Sequence, residues 1–151
     1  EFDYIKVEGL KVFLTKYFNM RTNPQNLKFK KYFKSSIILN YYRSSFKVKF
    51  GTFGLQCASR HNLSFSQIEA ARKAVRRLVR KSGYIWIRGF PYAPLTKKPL
   101  SVRMGKGKGP VNRWLAPIIS GQVLLEFKGI ASEMMKKTIR AAAKKLPCKA
   151  R

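Results

Sequence analysis

The residues best suited to chemistry lie in the run Ser101-Val102-Arg103-Met104-Gly105-Lys106-Gly107-Lys108-Gly109-Pro110, and the chemistry they suit is the binding of phosphate. Three glycines at alternate positions strip side chains from the backbone and open φ values closed to other residues, while the lysines between them carry charge. Such a loop can lay N–H and ammonium groups against an anion at close range, and Arg103 adds a planar guanidinium able to stack on a base or fork onto a phosphate. The nucleotide-binding pattern G-x-x-x-x-G-K-[ST] is not matched, because Lys108 is followed by Gly109 and no hydroxyl is offered to a metal. A flexible solvated linker is the competing reading of the run.

Groups for covalent or acid–base work are sparse. His61 is the single histidine, and Cys57 and Cys148 are the two cysteines, far apart in sequence. A zinc site wants about four Cys or His ligands at short spacings, so no metal is expected. Two small, incidentally buried thiols are the expected reading, with a single disulfide as the alternative. General acid–base catalysis needs a positioned histidine or a carboxylate pair, whereas Glu69, Glu126 and Glu133 are spread over two helix starts and a strand. We expect no catalytic residue, no cofactor and no small-molecule substrate.

The charge balance names the class of partner. Against 33 Lys and Arg stand six carboxylates, a net +27 in 151 residues, and a free chain so charged repels itself and binds anionic polymers. No acid falls between Glu69 and Glu126, so intramolecular ion pairs are expected to leave that interval's many cations free. Nucleic acid is the polyanion expected to meet them, with anionic membrane as the runner-up. No apolar run approaches the ~20 residues that span a bilayer.

The elements that must position these groups follow in chain order. Val7 to Met20 reads as a short amphipathic helix with Leu10, Phe13, Leu14 and Phe18 on one side, and the acids Glu1, Asp3 and Glu8 argue against a mitochondrial presequence. Residues 27–45 read as a basic-aromatic arm in which lysines contact phosphates and rings offer stacking faces. Phe46 to Gln56 reads as a strand, because Phe46, Val48 and Phe50 alternate with Lys47 and Lys49. A helix then starts at a Ser64 cap with Gln67 closing a capping box and Glu69 in the positive first turn, and Gly83 ends it. Its apolar face is Phe65, Ile68, Ala71, Val75, Leu78 and Val79, and its basic stripe is Arg72, Lys73, Arg76, Arg77 and Arg80.

Tyr84 to Arg88 reads as a strand, and Pro91, Pro94 and Pro99 mark an extended connector into the glycine-rich loop. Trp114 to Ile119 and Gln122 to Phe127 read as a hairpin about Ser120-Gly121. Ser132 opens a last helix through Leu146, with Met135, Ile139, Ala142, Ala143 and Leu146 inward. The fold class expected is α+β, a two-layer sandwich with a mostly antiparallel sheet and two long helices on one face. The parts are an extension over 1–26, the arm over 27–45, and a globular domain over 46–151 carrying the loop 101–110.

Several of these motifs together resemble one family. Phe50-Gly51-Thr52-Phe53-Gly54-Leu55, Gln67-Ile68-Glu69-Ala70-Ala71-Arg72, Ile85-Trp86-Ile87-Arg88, Thr96-Lys97-Lys98-Pro99-Leu100, Val102 through Gly109, and Lys145-Leu146-Pro147 occur in the order and spacing of the bacterial and organellar large-ribosomal-subunit protein L-sixteen family. The resemblance spans about residues 27 to 151; residues 1–26 have no family counterpart, and the arm leads into Ile37-Ile38-Leu39-Asn40-Tyr41-Tyr42 where the family has glycine- and arginine-rich turns.

What the resemblance implies is a structural RNA-binding protein of the large subunit, with large-subunit rRNA, A-site tRNA and neighbouring ribosomal proteins as partners. The positions expected on rRNA are Lys28, Lys30, Lys31, Tyr32, Lys34, Arg43, Arg60, Arg72, Lys73, Arg76, Arg77, Arg80, Arg88, Lys97, Lys98 and Arg113. The loop residues Arg103, Met104, Gly105, Lys106, Gly107, Lys108 and Gly109 are expected beside A-site tRNA near the peptidyl transferase region. A composition rich in Phe, Tyr, Lys and Asn points to an AT-biased genome and to a mitochondrial ribosome, with bacterial cytoplasm or plastid stroma as alternatives. The competing function is that of a general basic nucleic-acid binder without a ribosomal role.

Overall fold

The computed structural model describes residues 23–31, 33, 46–80 and 82–151, together with the backbone at 6–7, 10–11 and 13–14. Tyr32, Lys34 and Arg43 lie outside the described residues. Within them the chain is α+β, in the order β1 (Lys6–Val7), β2 (Leu10–Lys11), β3 (Phe13–Leu14), β4 (Phe53–Gln56), β5 (His61–Ser64), α1 (Phe65–Val79), β6 (Tyr84–Ile87), β7 (Ala93–Thr96), β8 (Val111–Ile118), β9 (Val123–Lys128) and α2 (Ser132–Ala143). The strands form two antiparallel sheets, ordered β3-β6-β9-β4 and β5-β8-β7, beside the small pair β1-β2. The single main sheet expected from sequence is therefore two.

Both sheets and both helices feed one core. Ile68, Ala71, Val75 and Val79 of α1 meet Met135 and Ala142 of α2, Leu63, Ala116 and Ile118 of one sheet, and Leu55, Ile85, Ile87, Leu125 and Phe127 of the other. Residues 123–127 of β9 are buried without alternation, as a strand covered on both faces should be. The α1 start is as read: the Gln67 N–H donates to the Ser64 hydroxyl and the Ser64 N–H to the Gln67 side chain.

Several expectations are corrected, each because a long-range pairing overrides a local signal. Phe13 and Leu14 pair with Ile87 and Trp86 at the edge of β6, so strand pairing replaces the expected helix at the described positions, the rest of the span Val7 to Met20 lying outside the described residues. The strand expected from Phe46 begins only at Phe53, because the N–H groups of Lys49, Phe50 and Gly51 converge on a single oxygen, Glu126 Oε2, at 3.1, 2.6 and 2.9 Å. A regular strand would aim successive donors in opposite directions. The proline-marked connector contains β7, an edge strand, where a residue without an N–H is tolerated.

The turn at Ser120-Gly121 is real, with Gly121 at φ 88°, but no hairpin ladder follows it. The Gly121 N–H donates to the Cys57 carbonyl at 2.7 Å and the Cys57 N–H to the Gln122 carbonyl at 2.9 Å. The turn thus docks on the end of β4, sending β8 into one sheet and β9 into the other.

Smaller corrections concern the helices. Helix α1 stops at Val79, and the positive φ that ends it, 50°, belongs to Arg80 rather than to Gly83. Leu78 is exposed instead of facing inward. Glu69 lies beyond the first turn. Helix α2 is capped at Ala131, with Glu133 in its first turn.

Gly83 has a different use, close approach. A Cβ there would meet the Ile130 side chain at 2.7 Å and the Lys128 carbonyl at 2.8 Å. Gly83→Ala is expected to cost about 1–3 kcal/mol by overpacking. The check is urea denaturation: the midpoint should fall with the slope unchanged.

Candidate nucleic-acid interface

The glycine-rich run is the tip of a hairpin. Strands β7 and β8 pair from Ala93↔Leu115 to Thr96↔Val111, and the Lys97 N–H extends the ladder to the Pro110 carbonyl at 3.2 Å. Gly109 belongs to this base, where a Cβ would fall 2.8 Å from the Lys97 carbonyl oxygen. The linker reading is thereby excluded, since both ends of the loop are held by one sheet.

Within the tip, Gly105, Lys106 and Gly107 take φ values of 93°, 54° and 79° in succession. The Val102 N–H closes a turn onto the Pro99 carbonyl at 3.3 Å, and the Lys98 ammonium donates to the Gly105 carbonyl. Residues 101–108 are all exposed. Two apolar side chains stand out with them, Leu100 at 98 % and Met104 at 94 % exposure. Cations interspersed with outward apolar groups can meet phosphates and base faces at once.

The arm meets the loop. Lys31 Nζ donates to the Lys108 carbonyl at 2.9 Å, and Lys108 Nζ lies 5.5 Å from the centroid of the Phe33 ring, within cation–π range. Lys28 stands over Phe29 in the same way, at 5.6 Å. Phe29 and Phe33 are themselves exposed. Phe33 is not among the positions expected on RNA, although it stands in the alternation of rings and lysines around Lys31 that marks the arm.

Of the remaining expected positions, Lys28, Lys30, Lys31, Arg60, Lys73, Arg77, Arg80, Lys97 and Arg113 are exposed, while Arg76 and Lys98 are half-buried. Arg76 also donates to the Gly83 carbonyl at 3.4 Å. Two others, Arg72 and Arg88, are engaged inside the protein by the acids at the two ends of the acid-free interval. Arg72 forks onto Glu69 with contacts of 2.8 and 2.7 Å, and Lys73 lies 3.9 Å from the same carboxylate. Arg72's hydrogen bonds, opposed by burial and helped by the two positive charges, hold the Glu69 carboxyl below its ordinary range.

Arg88, 8 % exposed at its side chain, pairs with Glu126, 0 % exposed, and donates to the Lys47 carbonyl at 2.8 Å. Burial alone would raise the Glu126 carboxyl. The Phe50 N–H, the Arg88 guanidinium and the Gly51 and Lys49 N–H groups outweigh it, and the carboxyl is held low. Arg88 and Glu126 fasten segment 47–51, where Phe50 stacks on Trp86 at 6.3 Å, to β9, an inner strand of the sheet.

Two comparisons bear on this site. A family described as Ribosomal protein L16p/L10e matches residues 24–151. The large ribosomal subunit protein uL16 of Halorhodospira halophila (strain DSM 244 / SL1) is 52 % identical over 103 residues, covering 68 % of this chain and 75 % of the relative.

Proposed function

This chain belongs to the ribosomal protein L16p/L10e family, a structural and non-enzymatic constituent of the ribosome, and from that premise we propose how it works in the large subunit. The exposed cations of the arm, of α1 and of the β7–β8 base seat the protein on large-subunit rRNA through phosphate contacts and counterion release. Loop 101–110 extends beyond that footing toward A-site tRNA near the peptidyl transferase region. There Arg103, Lys106 and Lys108 meet phosphates, and Met104 lies against the acceptor end. The loop orients RNA and transfers no proton.

The observation that carries this reading is the mounting of the loop. Its base is fixed in a sheet, its flank is braced by Lys31 and Phe33, and its tip is exposed. Preorganisation of this kind lowers the ordering cost of binding. For the compartment, the abundance of Phe, Tyr and Lys in the sequence supports a mitochondrial ribosome.

Crosslinking the protein to RNA in cell or organelle extract, and sequencing the fragment attached to each peptide, tests the placement. Crosslinks from residues 103–108 should be confined to large-subunit rRNA near the tRNA acceptor end and to tRNA itself. Crosslinks scattered over many RNAs and DNA would replace this reading with that of a general polyanion binder.

A further inference from the structure

We propose that Cys57 and Cys148 form an oxidisable dithiol, a modification site at which a disulfide fastens segment 148–151 to the end of β4. The two residues are 91 positions apart in sequence, yet their sulfurs lie 3.6 Å from each other. Both are free thiols buried in the core, at 0 % and 6 % exposure. Both thiols are buried, as expected, and in addition they touch each other.

The main chain has already brought the pair together. Gln56 and Arg151 exchange N–H to carbonyl bonds of 2.8 Å in both directions, the Ala58 N–H donates to the Lys149 carbonyl at 2.7 Å, and Cys57 stands opposite Ala150 in the bridge between them. Cys148 is two residues from Ala150, so strand alternation puts it on the same face as Cys57. A bonded pair of sulfurs sits at about 2.05 Å, and the remaining gap is of the order that side-chain rotation supplies.

The reaction needs an oxidant, and a low-molecular-weight disulfide such as glutathione disulfide serves. The Cys148 thiolate attacks one glutathione sulfur, the glutathione S–S bond breaks, and one glutathione thiolate leaves. Cys57, deprotonated, then attacks the Cys148 sulfur of the mixed disulfide and releases the second glutathione. Two protein thiols become one disulfide, and two electrons and two protons pass to glutathione, which departs as two thiols.

Cys148 acts first because it is the less deeply buried. Burial, reinforced by the neighbouring Cys148, pushes the Cys57 thiol up to about 12, so Cys57 rests protonated and resolves rather than initiates. The ladder between 56–58 and 149–151 must part to admit the oxidant, which makes the reaction slow but intramolecular in outcome.

The test treats intact large subunits with glutathione disulfide, then blocks free thiols and measures the mass of this protein. The expected product has lost two hydrogens, about 2 Da, carries no glutathione, and yields one peptide pair joined through Cys57 and Cys148. Amide exchange at Ala58 and Arg151 should slow by roughly tenfold or more and recover on reduction, as a crosslink suppresses local opening. In Cys57→Ser the glutathione adduct at Cys148 should accumulate. A stable adduct on the unaltered chain, a disulfide between two protein copies, or two thiols still fully blockable after oxidation would each overturn the proposal. The unaltered chain decides the question even if the variant fails to assemble.

Discussion

Glu126→Ala should remove about 3–5 kcal/mol of stability, a large part of what holds a domain of this size together. The loss has two sources. Arg88 would be left charged and buried without its partner, and the N–H groups of Lys49, Phe50 and Gly51 would lose the oxygen on which they converge. Thermal melting should show a fall on the order of 10 °C or more. Glu126→Gln keeps the volume and one carbonyl acceptor, so its loss should be smaller. Equal stability of Glu126→Ala and the parent would show that segment 47–51 is held by something else.

The same carboxylate sets an acid dependence whose sign is fixed. Its pKa is depressed in the folded protein, so its stabilising contribution is complete above the ordinary glutamate value of about 4.3 and is lost as pH falls from there through the folded value. Denaturation midpoints measured downward from about pH 6 should therefore decline in the parent and less steeply in Glu126→Gln. A residual slope is expected, because Glu69 is also held low by Arg72.

The second large effect is on binding. Subunits carrying Lys106→Ala and Lys108→Ala should bind A-site tRNA roughly thirtyfold more weakly while retaining the protein, since each lost charge-assisted phosphate contact removes on the order of 1 kcal/mol. The dependence of log affinity on log salt should become shallower by about 1.5 for two phosphates on single-stranded RNA. Retention is expected because the proposed footing on rRNA uses other residues, and because both lysines are exposed in a loop whose base they do not form. Unchanged tRNA affinity in such subunits would remove the loop from its proposed role.

What the sequence disclosed, it disclosed where the causes were local. Ser64 and Gln67 announce the start of α1 because a capping box is written within four residues, and the glycine-lysine alternation announces a loop because nothing else tolerates it. Gly121 announced a turn for the same reason, but which strands leave that turn as partners depends on β4 and β6, both distant in sequence. Phe13 and Leu14 fit a helical period as well as a strand, and only the free edge of β6 decides between them. Pro94 argued against a strand and is accommodated because β7 lies at an edge.

The site divides along the same line. An excess of cations is a property of composition, and it was legible. Which cations are spent inside was partly so, since Arg72 stands three residues after Glu69, a spacing that brings helix side chains together. Arg88 and Glu126 are 38 residues apart, and only the pairing of Ile87 with Leu125 in the β6–β9 register brings their strands side by side. The meeting of Lys31 with Lys108 is longer in range still, and no local pattern encodes it.

Because Thr96 faces Val111 and Lys97 bonds to Pro110, the hairpin is closed below the loop whatever lies above. Residues 98–109, doubled back on themselves, can reach at most roughly 20 Å past that closure at the extended length of a chain. The sandwich places no demand on how many residues fill the span. On the proposed placement the loop is in this sense a ruler: its length would record the distance from the protein's footing to the object it reaches, and a pair of residues added at the tip would change that measure while leaving the domain beneath it as it was.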